Sequence, residues 1–504
     1  MSATLTCLLL SLFLGAAGPL QRFELKLPGR VSSVVPADVN GDGLVDFLVF
    51  WRQGFPPQTT KRVSVYLAAP GKLSTRPTQV LSLPRGSVAF DVGDVNFDGL
   101  ADVLVLRADG IWALAGQPVG GLAASPVRVL QVMTLAAIPH EDRLPRLSLL
   151  VELGAGRRGL LVPSVPIGPL ALYVRGAQGA WSLQCMLRVP TRAELYTSAE
   201  DFRSARDYGA LFQIAVPRWQ AQDQNADGRP DLMFFSRNTV AVYRQRADGS
   251  FPAGPDLLRT FSMLEREERI KRGAHVQIRA GDLNGDGRAD LVIDKTVGGI
   301  SNMKSELRVY LADEACDYPP RASFQSRRAG WGSSVSLSDV NGDGRLDLVR
   351  PHVEMGLSSL IGMMLAGKLN VDFEIYFSRK GVFTESPDFV IPSKLRIDFA
   401  SNQELTGPYP DFRSDFDGDG LLDLVIGRAG GGTGDNPDRI EIRRGRGKGR
   451  FSDDVLWSAD LCGTRYLVPF RPRPNGRPGL LIYFPLIASR RGDVWVLYNV
   501  GPWH

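Results

Sequence analysis

Apolar residues along this chain fall into short runs, some unbroken and some alternating with polar residues. Unbroken runs such as Phe47-Leu-Val-Phe50 and Val103-Leu-Val-Leu106 are bounded by Gly, Asn and Asp. That pattern predicts strands buried on both faces. A second kind of run alternates, and it occurs eight times: Val63–Leu67, Ile111–Leu114, Leu170–Tyr173, Val240–Tyr243, Leu307–Leu311, Phe373–Phe377, Ile440–Ile442 and Val494–Tyr498. A Gly-x-hydrophobic turn often follows, as at Gly71-Lys-Leu73, Gly249-Ser-Phe251 and Gly381-Val-Phe383. Each unit therefore predicts strand, loop, strand, strand, turn, strand. Four antiparallel strands per repeat of this length predict an all-β fold, a β-propeller.

The loop between the first two strands of a unit carries the candidate chemistry. Its nine-residue frame reads D-x-[DN]-x-D-G-x-x-D and occurs six times. Oxygen-bearing side chains at positions 1, 3, 5 and 9, a glycine for the sharp turn at 6 and a backbone carbonyl at 7 are what a loop needs to wrap a hard cation. Calcium fits that set best, because magnesium prefers fewer protein ligands and more water. The expected ligands, with the position-7 carbonyl in fourth place, are Asp38, Asn40, Asp42, Leu44 and Asp46; Asp94, Asn96, Asp98, Leu100 and Asp102; and Asp223, Asn225, Asp227, Arg229 and Asp231. The later loops offer Asp282, Asn284, Asp286, Arg288 and Asp290; Asp339, Asn341, Asp343, Arg345 and Asp347; and Asp415, Asp417, Asp419, Leu421 and Asp423. About six calcium ions are expected. An EF-hand opens the same way but needs a bidentate Glu at position 12. Position 12 is here Val49, Val105, Phe234, Ile293, Arg350 and Ile426, so the EF-hand is excluded.

The 129-residue gap between Asp94 and Asp223 is too long for one repeat. Gly156-Arg-Arg-Gly-Leu-Leu-Val162 preserves the second half of the frame there, without its acidic ligands, and Gly476-Arg-Pro-Gly-Leu-Leu-Ile482 does the same near the end. Eight repeats result, six of them suited to a metal. On these residues the chain resembles the FG-GAP/VCBS repeat family, the calcium-bearing blades of integrin α-subunit heads and of many secreted bacterial proteins. The resemblance spans residues 19–504 as one domain and implies a propeller of eight four-stranded blades, with seven as the alternative. The eighth unit lacks a fourth strand. Phe23-Glu-Leu-Lys-Leu-Pro28 resembles the fourth strands of other units, so the N-terminal segment is expected to close the ring.

Composition narrows the class. With 44% hydrophobic and 22% charged residues the chain is globular, and 54 Gly and 34 Pro suit a turn-rich β fold. Residues 1–18 are uncharged around the apolar run Leu8–Leu14 and end in small residues, the pattern of a secretory signal peptide. No later stretch is long and apolar enough for a membrane helix. The expected location is secreted, extracellular or periplasmic. Cys7 would leave with that peptide, and Cys185, Cys316 and Cys462 show no paired spacing, so they are expected to be small buried residues. Three insertions break the rhythm: Thr191–Tyr208, Ser262–Arg272 and Val353–Leu369. The last two contain short helical patterns, Leu264–Ile270 charged and Val353–Leu369 apolar.

Nineteen of the 54 acidic residues sit in the six loops, leaving 35 against the chain's 59 Lys and Arg. A basic exterior follows, densest in the hairpin bearing Arg443, Arg444, Arg446, Lys448 and Arg450, whose side chains are expected to be exposed and available to an anion. Enzymatic signatures are scarce. No HExxH, GxSxG or Walker motif occurs, and Gly154–Gly159 matches GxGxxG only as a blade turn, because no helix pattern follows. The favoured function is a calcium-stabilised adhesion or ligand-binding propeller, monomeric and non-catalytic, whose partner is a protein or an anionic glycan rather than nucleic acid. The competing reading is a uronate lyase, since some eight-bladed calcium propellers resembling this one act on pectin-type polymers.

Overall fold

The computed structural model describes residues 19–503 outside the segments 55–57, 135–143, 165–168, 177–178, 190–191, 197–210, 216, 265–273, 300–301, 333, 355–367, 398–404, 407–409, 429–437, 462–465, 485–488 and 502. Eight four-stranded antiparallel blades follow one another in a ring. The first consists of Arg30–Ala37, Asp46–Gln53, Thr60–Tyr66 and Gln79–Ser82, paired in chain order. The next six begin with Ala89–Gly93, Leu150–Glu152, Arg218–Gln222, His275–Gly281, Ser336–Ser338 and Asp411–Ser414. The eighth takes Tyr466–Phe470, Gly479–Tyr483 and Asp493–Asn499 from the end of the chain and its fourth strand, Leu20–Lys26, from the beginning. That strand runs antiparallel to Asp493–Asn499, with Leu20 opposite Asn499 and Lys26 opposite Asp493. Eight blades, not seven, form the ring.

Both frames without acidic ligands are blade turns. Gly154 and Gly156 adopt φ of 78° and 71° between Leu150–Glu152 and Arg158–Pro163. The GxGxxG match there opens a strand, as expected. Among the described residues the regular structure is all strand. The helical patterns at Leu264–Ile270 and Val353–Leu369 fall largely on 265–273 and 355–367, outside the described residues. The insertion at Thr191–Tyr208 begins with Arg192–Tyr196, which pairs with Leu211–Ala215 in a two-stranded hairpin. Cys185 and Cys316 are free but half-buried rather than fully buried as expected, and burial pushes the Cys185 thiol up to about 11. Cys462, like residues 1–18, lies outside the described residues.

The unbroken apolar strands are explained by what lies on either side of a blade. In Asp46–Gln53, Phe47 and Val49 pack toward the eighth blade, while Leu48 and Phe50 pack toward the second. Side chains alternate with period two, so a strand sandwiched between two neighbours must be apolar at every position. One such cluster fills each of the eight seams between adjacent blades. Fourth strands face solvent and leave Val80, Val127, Leu258 and Val455 exposed.

The closing strand contributes Leu25, fully buried in the seam between the eighth and first blades beside Phe47, Phe470 and Val494. Its removal would uncover the edge of Asp493–Asn499 and part of that seam together. A chain beginning at Arg30 should therefore melt lower than the intact protein and self-associate in size-exclusion chromatography. A monomer with unchanged melting would show that this strand does not hold the ring.

Candidate metal loops

All six loops share one backbone course. The position-6 glycines Gly43, Gly99, Gly228, Gly287, Gly344 and Gly420 have φ between 77° and 88°, a region that only glycine occupies freely. Position 4 is left-handed as well. There Gly41, Gly285, Gly342 and Gly418 are joined by Phe97 and Ala226 at φ of 65° and 61°. The sequence pattern did not mark this fourth position, because two of the six loops lack glycine there.

Each turn is held by its own side chains. Asp38 accepts hydrogen bonds from the N–H of Gly41 at 2.7 Å and of Gly43 at 2.9 Å, Asn40 Oδ1 accepts from Asp42 N–H at 3.2 Å, and Asp42 accepts from Leu44 N–H at 2.8 Å. The fourth blade's neighbour repeats this with Asp282, Asn284 and Asp286 at 2.7 to 2.9 Å. Carboxylates at positions 1 and 5 and the amide at 3 are thus drawn to the inside of one turn. In the last loop, where Asp417 replaces Asn, carboxylate oxygens of Asp415, Asp417 and Asp419 lie within 4.8 Å of one another. Three hard oxygen donors converging at that spacing fit a calcium-type cation.

Position 9 behaves differently. Asp46, Asp102, Asp231, Asp290, Asp347 and Asp423 have no exposed surface. One oxygen of each accepts the position-2 N–H of its own loop, at 2.7 to 3.2 Å. The other accepts a backbone N–H from the end of the third strand or just beyond it, donated by Ala68, Gly116, Gln245, Ala312, Ser378 or Gly445, each at 2.8 Å. Expected as a ligand alone, this residue also ties the loop to the far end of its blade. Burial is the largest influence on its proton affinity. It pushes Asp46, Asp231, Asp347 and Asp423 up to about 6 and Asp290 up to about 7, and raises Asp102. The two N–H donors oppose that rise, and the other carboxylates of the loop add to it.

Arginines also reach the loops. Arg288 pairs with Asp286 at 2.7 Å, Arg345 with Asp343 at 3.1 Å, and Arg229 with Asp227. Arg158 of the third blade pairs with Asp94 at 3.0 Å, and Arg444 with Asp417 at 2.7 Å. Position 7 announced the first three. The other two come from distant parts of the sequence and had no local signal. They also correct the expectation for the basic hairpin. Arg444 is spent on a loop carboxylate, and Arg443 lies against Glu441 at 2.9 Å and Asp453 at 3.4 Å with only 16% of its side chain exposed. Arg446 faces solvent while pairing with Asp454 at 3.2 Å, and Lys448 and Arg450 are exposed at the turn.

Residues 38–105 and 223–293 match the model of the FG-GAP-like repeat. These stretches run from a loop in one blade through the second strand of the next, so two parts of the ring carry FG-GAP-like repeats. No curated protein matches the sequence significantly. Among solved structures, it is similar to an Agrocybe aegerita lectin that recognises non-reducing terminal N-acetylglucosamine, at 14% identity over 85% of this chain and 80% of the other, TM-score 0.35. It is also similar to the V. cholerae biofilm matrix protein Bap1, at 14% identity over 93% and 77% of the two chains, TM-score 0.29. A third is AofleA from Arthrobotrys oligospora, at 10% identity over 74% and 92%, TM-score 0.26.

The two kinds of aspartate should separate on mutation. Asp290→Ala strips the partner from two buried N–H groups and should cost about 2–4 kcal/mol in chelator, and as a loop ligand it should forfeit the calcium-dependent increment as well. Asp286→Ala should instead remove only the calcium-dependent increment, read by thermal melts in both conditions. Because position-9 carboxyls rise above the unfolded value of 3.8, the stability they lend is full below pH 3.8 and lost as pH climbs through 6 to 7. In chelator, melting should fall between about pH 4 and 7, and calcium, which favours the ionised form, should flatten that fall. A pH-independent melt in chelator would refute the assignment.

Proposed function

We propose that this chain is a secreted, calcium-stabilised propeller that binds an anionic ligand, foremost an anionic glycan, without catalysing a reaction. The observation that carries the calcium part is the sixfold repetition of one loop in which donors at positions 1, 3 and 5 line the inside of a turn tied into the blade by a buried carboxylate. Such a loop holds oxygen donors in place before the ion arrives, which lowers the ordering cost of binding. Bound calcium would supply positive charge between carboxylates that otherwise repel one another. At a hundredfold excess over Kd each ion would add about 2.7 kcal/mol to folding stability.

These same contacts argue for binding over catalysis. The loop carboxylates are committed to backbone N–H groups and to arginines, so they are poorly placed to exchange protons with a substrate. The basic surplus outside the loops supports an anionic partner. Within the hairpin, the available cations are at its tip, Arg446, Lys448 and Arg450, because Arg443 and Arg444 turn inward. Guanidinium groups there suit sulfate or carboxylate groups of a glycan. The apolar N-terminal run supports export, and a ring closed on itself supports a monomer.

Retention on immobilised heparin tests the ligand class. The protein should elute at elevated salt, and replacing Arg446, Lys448 and Arg450 together by Glu should move elution to markedly lower salt, since these contacts are screened within about 8 Å at physiological ionic strength. Reversing Arg443 and Arg444 should weaken folding instead of shifting elution selectively. No retention of the parent protein would overturn the anionic-ligand reading.

A further inference from the structure

Among the described residues, five of the six loops carry an arginine on a carboxylate and the first carries none. Three loops supply their own from position 7, as Arg229, Arg288 and Arg345. The loop of Asp94 borrows Arg158 from the second strand of the following blade. Its guanidinium donates to the Asp94 carbonyl at 2.9 Å and pairs with the carboxylate at 3.0 Å. The corresponding residue beside the first loop is Ala101, whose backbone N–H donates to the Asp38 carbonyl at 3.0 Å. There a backbone N–H takes the carbonyl that a guanidinium takes in the second loop, and alanine has no side chain to reach the carboxylate. Among the described residues the first loop therefore keeps three aspartates with no arginine on them. The last has four against Arg444, and the other four loops each have three against one arginine.

From this we infer that the arginines are built-in counter-charges that rank the loops for cations: the first and last bind tightly, and the other four bind about tenfold or more weakly. The inference rests on the calcium reading. A guanidinium cannot shed its proton, so a dication entering the same turn must displace it or sit beside a like charge. The five arginine side chains are only 23–37% exposed, so water screens that repulsion incompletely. Without a cation, the same arginines offset the mutual repulsion of the carboxylates. The protein then folds with its loops formed, and calcium acts first where carboxylates most outnumber arginines.

Titration of the intact protein with calcium by calorimetry, and with terbium by luminescence, should resolve a tight class of two sites and a weaker class. Arg288→Gln should move one site from the weak to the tight class. It should also lower melting in chelator and recover that loss in millimolar calcium, whereas a merely structural arginine would lower both melts equally. Ala101→Arg should do the reverse and remove one site from the tight class; if that variant does not fold, Arg158→Gln, expected to tighten the second loop, decides in its place. Six equivalent sites, or an Arg288→Gln protein with unchanged site classes, would overturn the ranking and leave the calcium reading standing. If the parent protein neither takes up calcium nor melts higher with it, both are overturned.

Discussion

The fold turns on one buried contact made six times: a fully desolvated aspartate that accepts one N–H from the loop before it and another from the end of the third strand or just beyond it. A propeller blade is a flat, twisted meander, and its loops would otherwise be free to fray at the rim. The position-9 carboxylate joins the connection between the first and second strands to the end of the third. A displaced loop would leave an ionised group and two backbone donors unpaired in the interior, a cost comparable to a large part of a domain's net stability. In this way the blade itself sets the loops.

That arrangement carries an electrostatic cost, evident in the upward-shifted aspartates, and the chain meets it from two sides. Among the described residues arginines stand on loop carboxylates in five places, and a divalent cation would neutralise the rest. Much of the chain's basic character is therefore internal balance. Arg444 belongs to the last loop and Arg443 to Glu441, although in the sequence they are adjacent members of a basic run. Net charge alone overstated the surface open to a ligand, because it cannot distinguish a cation facing solvent from one facing a carboxylate across the blade.

Packing divides labour along each blade. Second strands are apolar on both faces because neighbouring blades bury both, and the other strands, fourth strands included, supply further seam residues such as Leu25, Leu187 and Leu461. The eighth seam differs only in its source. It joins residues from both ends of the chain, Leu25 and Val31 with Phe470 and Val494, in one cluster, so the ring is closed by sequence-distant contacts of the same kind that join consecutive blades.

Much of this was legible in the sequence because propeller information is local. Period-two apolar runs, a nine-residue frame with its glycine, and a constant spacing each specify structure within a few residues, so the blades, the six loops, the two frames without acids and even the closing strand could be read from the chain. The arginine partners of Asp94 and Asp417, the second bond of each position-9 aspartate and the inward turn of Arg443 and Arg444 could not. Apart from Arg443, whose partners Glu441 and Asp453 lie 2 and 10 positions away, those depend on which residues meet across a blade or between blades 14 to 64 positions apart. A charge pattern along a strand does not say which neighbour the ring will set against it, and only the tertiary structure decided that.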